Sequence, residues 1–389
     1  MREDGTMTTT ELLFLLLRQE VCGKNIAISS DAFSKDEVEK LYRLSKAHDV
    51  AHIISGALIK RGIMGTDEAP KKFLNEQMLA VYRTNNLKYA LSQITSLFEK
   101  EEIAYIALKG SVLRSYYPEE WMRTSCDIDI LVREDDLSHA VDALVASGYK
   151  TDKKREYHDI SLYSEAGIHL ELHFNIKETM ENIDTLLEKV WEFSKRDSQD
   201  KYAYNLSNEY FVFHHIAHMC YHFTHGGCGI RPFMDLWVMK NKMQYDEAVV
   251  RNYLRQCSLE EFYDNILYVT DVWFGDKPHT SRSEKIEEYV LRGGVYGTLE
   301  NHITVAQSKN SGKFKYALSR IFLPYKSLKN SYPILEKYKI LFPFMQIKRW
   351  FDIMFSGRAK RGFQELRINS KISKEKVSEM GKFLEDIGL

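Results

Sequence analysis

The amino-acid sequence predicts an α+β protein in which a small mixed sheet lies between helical lobes, and three features of its patterning predict it. Apolar residues recur at three- and four-residue steps over residues 9–100. The texture then breaks into a short apolar run over 103–108 and alternating runs over 127–132 and 168–174. After about Ser207 the helical period returns. On this reading the chain divides into a helical N-terminal lobe (1–100), a sheet core (101–206), a helical lobe that closes the cleft (207–308) and a basic helical C-terminal region (309–389). A chain of 389 residues exceeds what one hydrophobic core usually organises, as several lobes require.

Each element has its own signal. Leu12, Leu13, Leu16 and Leu17, then Val38, Leu41 and Leu44, mark amphipathic helices. The first apolar run is far shorter than the roughly 20 residues of a membrane helix. Glu3, Asp4 and Glu11 precede or flank it where a signal peptide would carry basic residues, so a buried helix is expected. Residues 103–108 read as a strand ended by Gly110, and 127–132 as a second. A helix over 135–147 has acidic residues in its first turn and Gly148 as its stop. Strands over 157–163 and 168–174 flank the turn Glu165-Ala166-Gly167. The later helices are interrupted at Pro232, Pro324, Pro333 and Pro343, and neither an internal repeat nor a low-complexity tract occurs.

Composition bounds the function. With 44% hydrophobic and 28% charged residues the chain reads as a soluble globular protein. Lys plus Arg total 54 against 55 for Asp plus Glu, so a nucleic-acid or membrane signature has to be local. Five widely spaced cysteines without a C-x-x-C pair favour reduced thiols and a cytoplasmic protein without a transmembrane segment.

The chemistry concentrates in Cys126-Asp127-Ile128-Asp129-Ile130-Leu131-Val132. On a strand, Asp127 and Asp129 share one face and Ile128, Ile130 and Val132 the other. Their Cα atoms would stand about 6.6 to 7 Å apart, close enough for both carboxylates to converge on a cation. Two such carboxylates repel unless a cation, a proton or a basic partner offsets them, and Mg²⁺ fits, being a hard ion that takes carboxylates and phosphate oxygens together. The alternative is an exposed sheet edge with two solvated aspartates. Upstream, Leu108-Lys109-Gly110-Ser111 falls where a strand would turn into a helix, with glycine letting backbone approach phosphate and Ser111 offering a hydroxyl; an ordinary strand-to-helix turn is the plainer reading. In Ile168-His169-Leu170-Glu171-Leu172-His173-Phe174 alternation sends His169, Glu171 and His173 to one face. If this strand pairs beside the aspartate strand, Glu171 approaches the same metal.

These residues resemble the polymerase-beta-like nucleotidyltransferase superfamily, which includes the aminoglycoside nucleotidyltransferases. More closely, Leu108-Lys109-Gly110-Ser111, Tyr117-Pro118, Arg123, the Asp127–Val132 string, Gly148-Tyr149 and Glu171-Leu172-His173 resemble the bacterial family called uncharacterised nucleotidyltransferase. The resemblance implies a polymerase-beta-like core in which Asp127 and Asp129 bind two Mg²⁺ or Mn²⁺ ions and Glu171 completes the catalytic metal site. It implies that Lys109, Gly110, Ser111 and Arg123 contact the phosphates of a nucleoside triphosphate. An acceptor hydroxyl would then attack the α-phosphorus in line while pyrophosphate leaves. The acceptor class stays open among a small molecule, a protein and an RNA. A non-catalytic nucleotide-binding regulator, or an interaction module on the same fold, is the alternative. The 17 positions from Gly110 to Asp127 exceed the usual superfamily interval, and the loop from Tyr116 to Met122 is typical of the narrower family.

Weaker signals follow. His214, His218 and His222 fall on one helix face, in a spacing that binds zinc in some proteins or that lines the cleft opposite the sheet. Arg231 is expected either to contact phosphate or to pair with Asp235 at the i+4 step. From Lys309 to Arg367 there are 14 basic residues, among them Lys313, Lys315, Lys326, Lys329, Lys348, Arg349, Lys360 and Arg361, against Glu336, Asp352 and Glu365. Phe314, Tyr325, Tyr338, Trp350 and Phe351 are interleaved with them. The options are a solvated basic face, an RNA or other polyanion, and an anionic membrane surface.

Overall fold

The alternation in Asp127-Ile128-Asp129-Ile130 builds the centre of a seven-stranded mixed sheet. A computed structural model describes residues 7–63, 68–155, 158–295, 297–309, 312–355 and 359–389. Four helices lead the chain: α1 (Thr9–Cys22), α2 (Lys35–Ala47), α3 (Ala51–Lys60) and the 33-residue α4 (Glu68–Lys100). The strands are β1 (Tyr105–Ala107), β2 (Asp127–Val132), β3 (Lys150–Arg155), β4 (Asp159–Tyr163), β5 (His169–His173), β6 (Ser194–Arg196) and β7 (Ala203–Leu206). Short helix α5 (Gly110–Leu113) follows β1, α6 (Leu137–Ala146) follows β2, and α7 (Glu181–Leu187) follows β5. Six helices come next: α8 (Asn208–Thr224), α9 (Arg231–Lys242), α10 (Glu247–Gln256), α11 (Glu260–Trp273), α12 (Ser281–Gly293) and α13 (Leu299–Lys309). The last are α14 (Lys313–Ile321), α15 (Tyr325–Ser331), α16 (Ile334–Lys337), α17 (Phe342–Phe355), α18 (Ala359–Lys371) and α19 (Lys374–Asp386). The predicted α+β architecture, a mixed sheet between helical flanks, is the one the chain adopts.

Strand order is β3-β4-β5-β2-β1-β7-β6. Strand β2 pairs antiparallel with β1 and parallel with β5, and this parallel pairing sets the site. The two strands expected over 157–163 and 168–174 are β4 and β5, and the strand before them, β3, is the unexpected one; Tyr157, the first residue of the expected strand, lies outside the described residues. The β3 sequence Lys150-Thr151-Asp152-Lys153-Lys154-Arg155 has no apolar alternation to betray it. An edge strand has no need of one, and charge on an edge discourages pairing with another chain. The turn after β4 was legible: Gly167 has φ +78°, a left-handed conformation open to glycine, and its N–H donates to Ser164 O at 3.0 Å.

The sheet separates two cores. On one face Ile128, Ile130 and Val132 join Leu170 and Leu172 against Leu87, Ile94 and Phe98 of α4 and Leu137, Ala140 and Leu144 of α6. On the other, Ile106, Leu108 and Leu131 belong to a larger core shared by α1 and α3, by α8 to α12, and by Leu384 at the end of α19. The N-terminal helices and the helices after the sheet are thus one packed body. Trp273 shows how closely it is knit, stacking on Phe14 at 4.6 Å, meeting Phe233 at 4.5 Å and donating from Nε1 to Glu287 Oε2 at 2.7 Å. No helix among the described residues is long and apolar enough to cross a membrane.

Removing that indole leaves a cavity between four helices and an orphaned Glu287. Trp273→Ala is expected to lower the unfolding free energy by about 3–5 kcal/mol in a denaturant titration, and a loss below about 1 kcal/mol would mean the helical lobes pack independently.

Candidate active site

Parallel pairing of β2 with β5 puts Asp127 opposite His169 and Asp129 opposite Glu171. Since alternate residues share a face, five polar side chains (Asp127, Asp129, His169, Glu171 and His173) emerge together from two adjacent strands. Their ligand atoms gather in two groups, Asp127 with His169 and Glu171, and Asp129 with Glu171 and His173, each group lying within 4.8 Å. Glu171 belongs to both. The sequence placed three carboxylates at one site; the structure brings them together with two histidines, and divides them between two positions that share one acid.

Burial makes this cluster electrostatically tense. Asp129 is 7% exposed, yet Lys109 and His173 hold its carboxyl well below the usual range despite the opposing effect of burial. Its Oδ1 accepts from His173 Nε2 at 3.0 Å and lies 3.6 Å from Lys109 Nζ. Burial, with Asp129 beside it, raises Asp127. Burial and the charges of Asp129 and Asp127 push Glu171 up to about 7 from its ordinary 4.5. His173 Nδ1 is buried without a hydrogen-bond partner among the described residues, its ring stacks on His158 at 5.4 Å, and His158, Asp159 and His173 form a third group. Three carboxylate donors at one site, two of them with raised proton affinity, fit a hard divalent cation, which would relieve their repulsion.

The predicted phosphate-binding turn sits directly above. Leu108 N–H donates to Asp129 O at 3.1 Å, which carries the β1 ladder up to the site. Lys109 then takes φ +41°, a conformation that non-glycine residues rarely adopt and that turns its ammonium toward the acids. Burial opposes its charge, but Asp129, Glu178, Glu171 and Asp127 together raise its pKa, so it stays an ammonium. Gly110 has no left-handed backbone, and a Cβ there would meet only ordinary contacts, 3.5 Å from Arg123 Nη1 and Ser125 Cβ. The fold itself makes no demand for glycine at that point. Ser111 spends its N–H on Leu108 O, so its hydroxyl is the group it can offer.

Arg123 and Arg231 lie in the hydrogen-bonded frame beside the turn. Arg123 Nε bonds both oxygens of Asp235, at 2.7 and 2.9 Å, and Tyr117 donates to the same carboxylate at 2.7 Å. Asp235 is therefore the partner of Arg123, and Arg231, expected as its i+4 neighbour, turns to Asp49 at 3.2 Å and Thr124 O at 3.1 Å. Buried Arg114, which carried no sequence signal, donates to Gly110 O at 2.9 Å and Ser125 Oγ at 3.1 Å, tying the turn to the segment that enters β2.

Helix α8 closes the opposite side. His218 Nδ1 donates to Glu178 Oε1 at 2.6 Å, and His222 Nε2 donates to His218 Nε2 at 3.0 Å. His214, the other residue on this face, is pressed down to about 3 by burial and by the charge of Lys109, and His222 also falls to about 3, mainly through burial. The three histidines form an uncharged wall in which His218 and His222 are hydrogen-bonded, with Glu178 as the member that no sequence motif revealed.

The Glu171 carboxyl gives a pH dependence with a definite sign. Its folded pKa lies above the unfolded value, so the native state holds an extra proton between about 4.5 and 7 and loses stability as pH rises through that window. Divalent binding has to expel this proton. Affinity for Mn²⁺, read by titration calorimetry, should fall up to tenfold per unit below about pH 7 and level off above it. Glu171→Gln should bind weakly with a flatter profile, and a wild-type affinity independent of pH across this window would remove Glu171 from the site.

Comparison with curated proteins gives no match. A model of the family described as uncharacterised nucleotidyltransferase matches residues 34–275, more than half of the 389, and spans α2 to α11 with every residue of the site built above. The chain belongs to the uncharacterised nucleotidyltransferase family.

Proposed function

We propose that the protein transfers a nucleoside monophosphate from a nucleoside triphosphate to an acceptor hydroxyl, with release of pyrophosphate. One observation carries the reading: two groups of ligand atoms share Glu171 and lie beneath a lysine–glycine–serine turn. Asp127, Asp129 and Glu171 are the residues proposed to hold Mg²⁺ or Mn²⁺, two ions in all, with His169 and His173 at their flanks. The bound ions would supply charge neutralisation for the triphosphate and a lower pKa for the acceptor hydroxyl.

The other roles belong to the chain. His173 fixes the rotamer of Asp129 by donating to Oδ1, as outer-shell partners of ligating carboxylates do. Lys109, whose ammonium leans on Asp129, is positioned to move onto a phosphate oxygen. Gly110 leaves room for that phosphate, and Ser111 donates its hydroxyl. Arg231, within electrostatic reach of Asp127, adds positive potential at the rim. Arg123 also adds positive potential, while its bond to Asp235 holds the 123–126 segment in line with β2. The uncharged face of α8 excludes water without competing for the anion. Positioning and charge account for most of the rate in such a reaction, because phosphoryl chemistry asks little covalent work of the protein.

Pyrophosphate release, measured with each nucleoside triphosphate and Mg²⁺ or Mn²⁺, tests this directly. Asp127→Ala and Asp129→Ala should each reduce it about a thousandfold, since several kcal/mol of charge stabilisation are at stake. Full activity in both would sink the proposal, and nucleotide binding without release in the wild type would leave a regulator. Gly110→Ala should raise KM for the nucleotide at an unchanged melting temperature; a variant that melts early instead would show that the glycine serves the fold.

A further inference from the structure

The surface formed by α14 to α17 is built inside out. Thirteen of the 21 exposed large apolar side chains among the described residues fall between Phe314 and Phe363. Ile340 is 82% exposed, Phe314 76% and Phe344 64%. On α17, Phe344, Ile347 and Met354 recur at three and seven residues, which places them on one face of the helix. Phe314, Leu318 and Ile321 do the same on α14 at steps of four and three. The ring of Phe322 meets Trp350 edge-on at 5.4 Å and joins the two stripes.

Gln346, Arg349 and Trp350 of α17 turn the other way. Arg349 donates to Arg320 O at 2.9 Å and Ile321 O at 3.0 Å, Trp350 Nε1 to Ile321 O at 2.9 Å, and Gln346 to Leu323 O at 2.5 Å. These bonds satisfy the carbonyls at the C-terminal end of α14, where no helical partner remains. The contact between α17 and the end of α14 is thus largely polar while a stripe of apolar residues faces water, an arrangement that marks an interaction surface. The same stretch is strongly basic: 14 Lys and Arg against three acidic residues between Lys309 and Arg367, in a chain whose net charge is −1. Lys315, Lys337, Lys339 and Lys348 are exposed.

We propose that this face docks on an anionic phospholipid bilayer. Ring, aliphatic and cationic groups find their places there together: Phe and Ile in the acyl boundary, Trp350 near the headgroups, lysines snorkelling to phosphate. An RNA would satisfy the lysines and stack on rings, yet leave Leu318, Ile340, Ile347 and Met354 in water. A second copy would bring the same dense positive charge against itself. The inference is independent of the nucleotidyltransferase site.

Cosedimentation of the full chain with phosphatidylcholine vesicles containing about 30% phosphatidylglycerol tests it, with pure phosphatidylcholine vesicles as the control. Binding should be at least about tenfold stronger on the anionic vesicles and should weaken as salt rises. The pairs Phe344→Glu with Ile347→Glu, and Lys337→Glu with Lys339→Glu, should each lower partitioning about tenfold or more, with unchanged melting temperatures because all four side chains are exposed. Brominated acyl chains should quench a fluorescence component that Trp350→Phe removes, a readout that needs no charge variant. Failure to sediment with anionic vesicles at low salt would overturn the proposal. So would sedimentation indifferent to both pairs, tighter binding to single-stranded RNA, or a wild-type dimer in sedimentation velocity that the Phe344 and Ile347 changes dissolve.

Discussion

The in-register parallel pairing of β2 and β5 is the constraint on which the site depends. It sets Asp129 across from Glu171, and the two-residue period of a strand carries Asp127, His169 and His173 to the same side. A slip of one residue would turn the acids into the α4 core and Ile128 and Ile130 into the cleft, so hydrophobic burial and the acid cluster enforce each other. The repulsion stored among the carboxylates is tolerable because Ile128, Ile130, Leu170 and Leu172 anchor the strands from the opposite face.

Charge is rationed around this pair of strands. Lys109 is the ammonium closest to the acids, and its raised pKa follows from the company it keeps. Arg123 spends much of its hydrogen-bonding capacity on Asp235, Arg231 is shared between Asp49 and Thr124, and Arg114 is buried under the Gly110 carbonyl. Across the cleft, burial keeps His214, His218 and His222 from taking up a proton at neutral pH. The result is a site with negative strands below, the Lys109 ammonium above, and an uncharged histidine face opposite.

What was legible in the sequence was what short-range physics writes there. The D-I-D-I-L-V and H-L-E-L-H strings declare their own faces, and residues 12–17 declare a buried helix. The prolines at 232, 324 and 333 mark helix starts, Pro232 lying in the first turn of α9 and Pro324 and Pro333 at the N-caps of α15 and α16. Edge strands β3 and β6, and β7 beside the second of them, escaped because they are short or charged and lean on a neighbour for their definition. The partners that hold the site, Asp235 for Arg123 and Glu178 for His218, lie 112 and 40 residues away, and no local pattern encodes such a distance. Arg231 shows the hazard of local logic: the i+4 rule offered Asp235, but Tyr117 and Arg123 reached it first.

The contact between Phe14 and Trp273 carries a consequence for how the chain is made. During synthesis α1 emerges some 259 residues before its stacking partner, which at roughly 5–20 residues per second is ~13–50 s. Until α8 to α12 follow, Leu12, Leu13, Leu16 and Leu17 have α2 and α3 as their partners in the helical body, while the sheet, whose strands lie within about a hundred residues of one another, can close. The helical body is therefore the part of the molecule completed last, and its first helix waits longest for the partners that cover it.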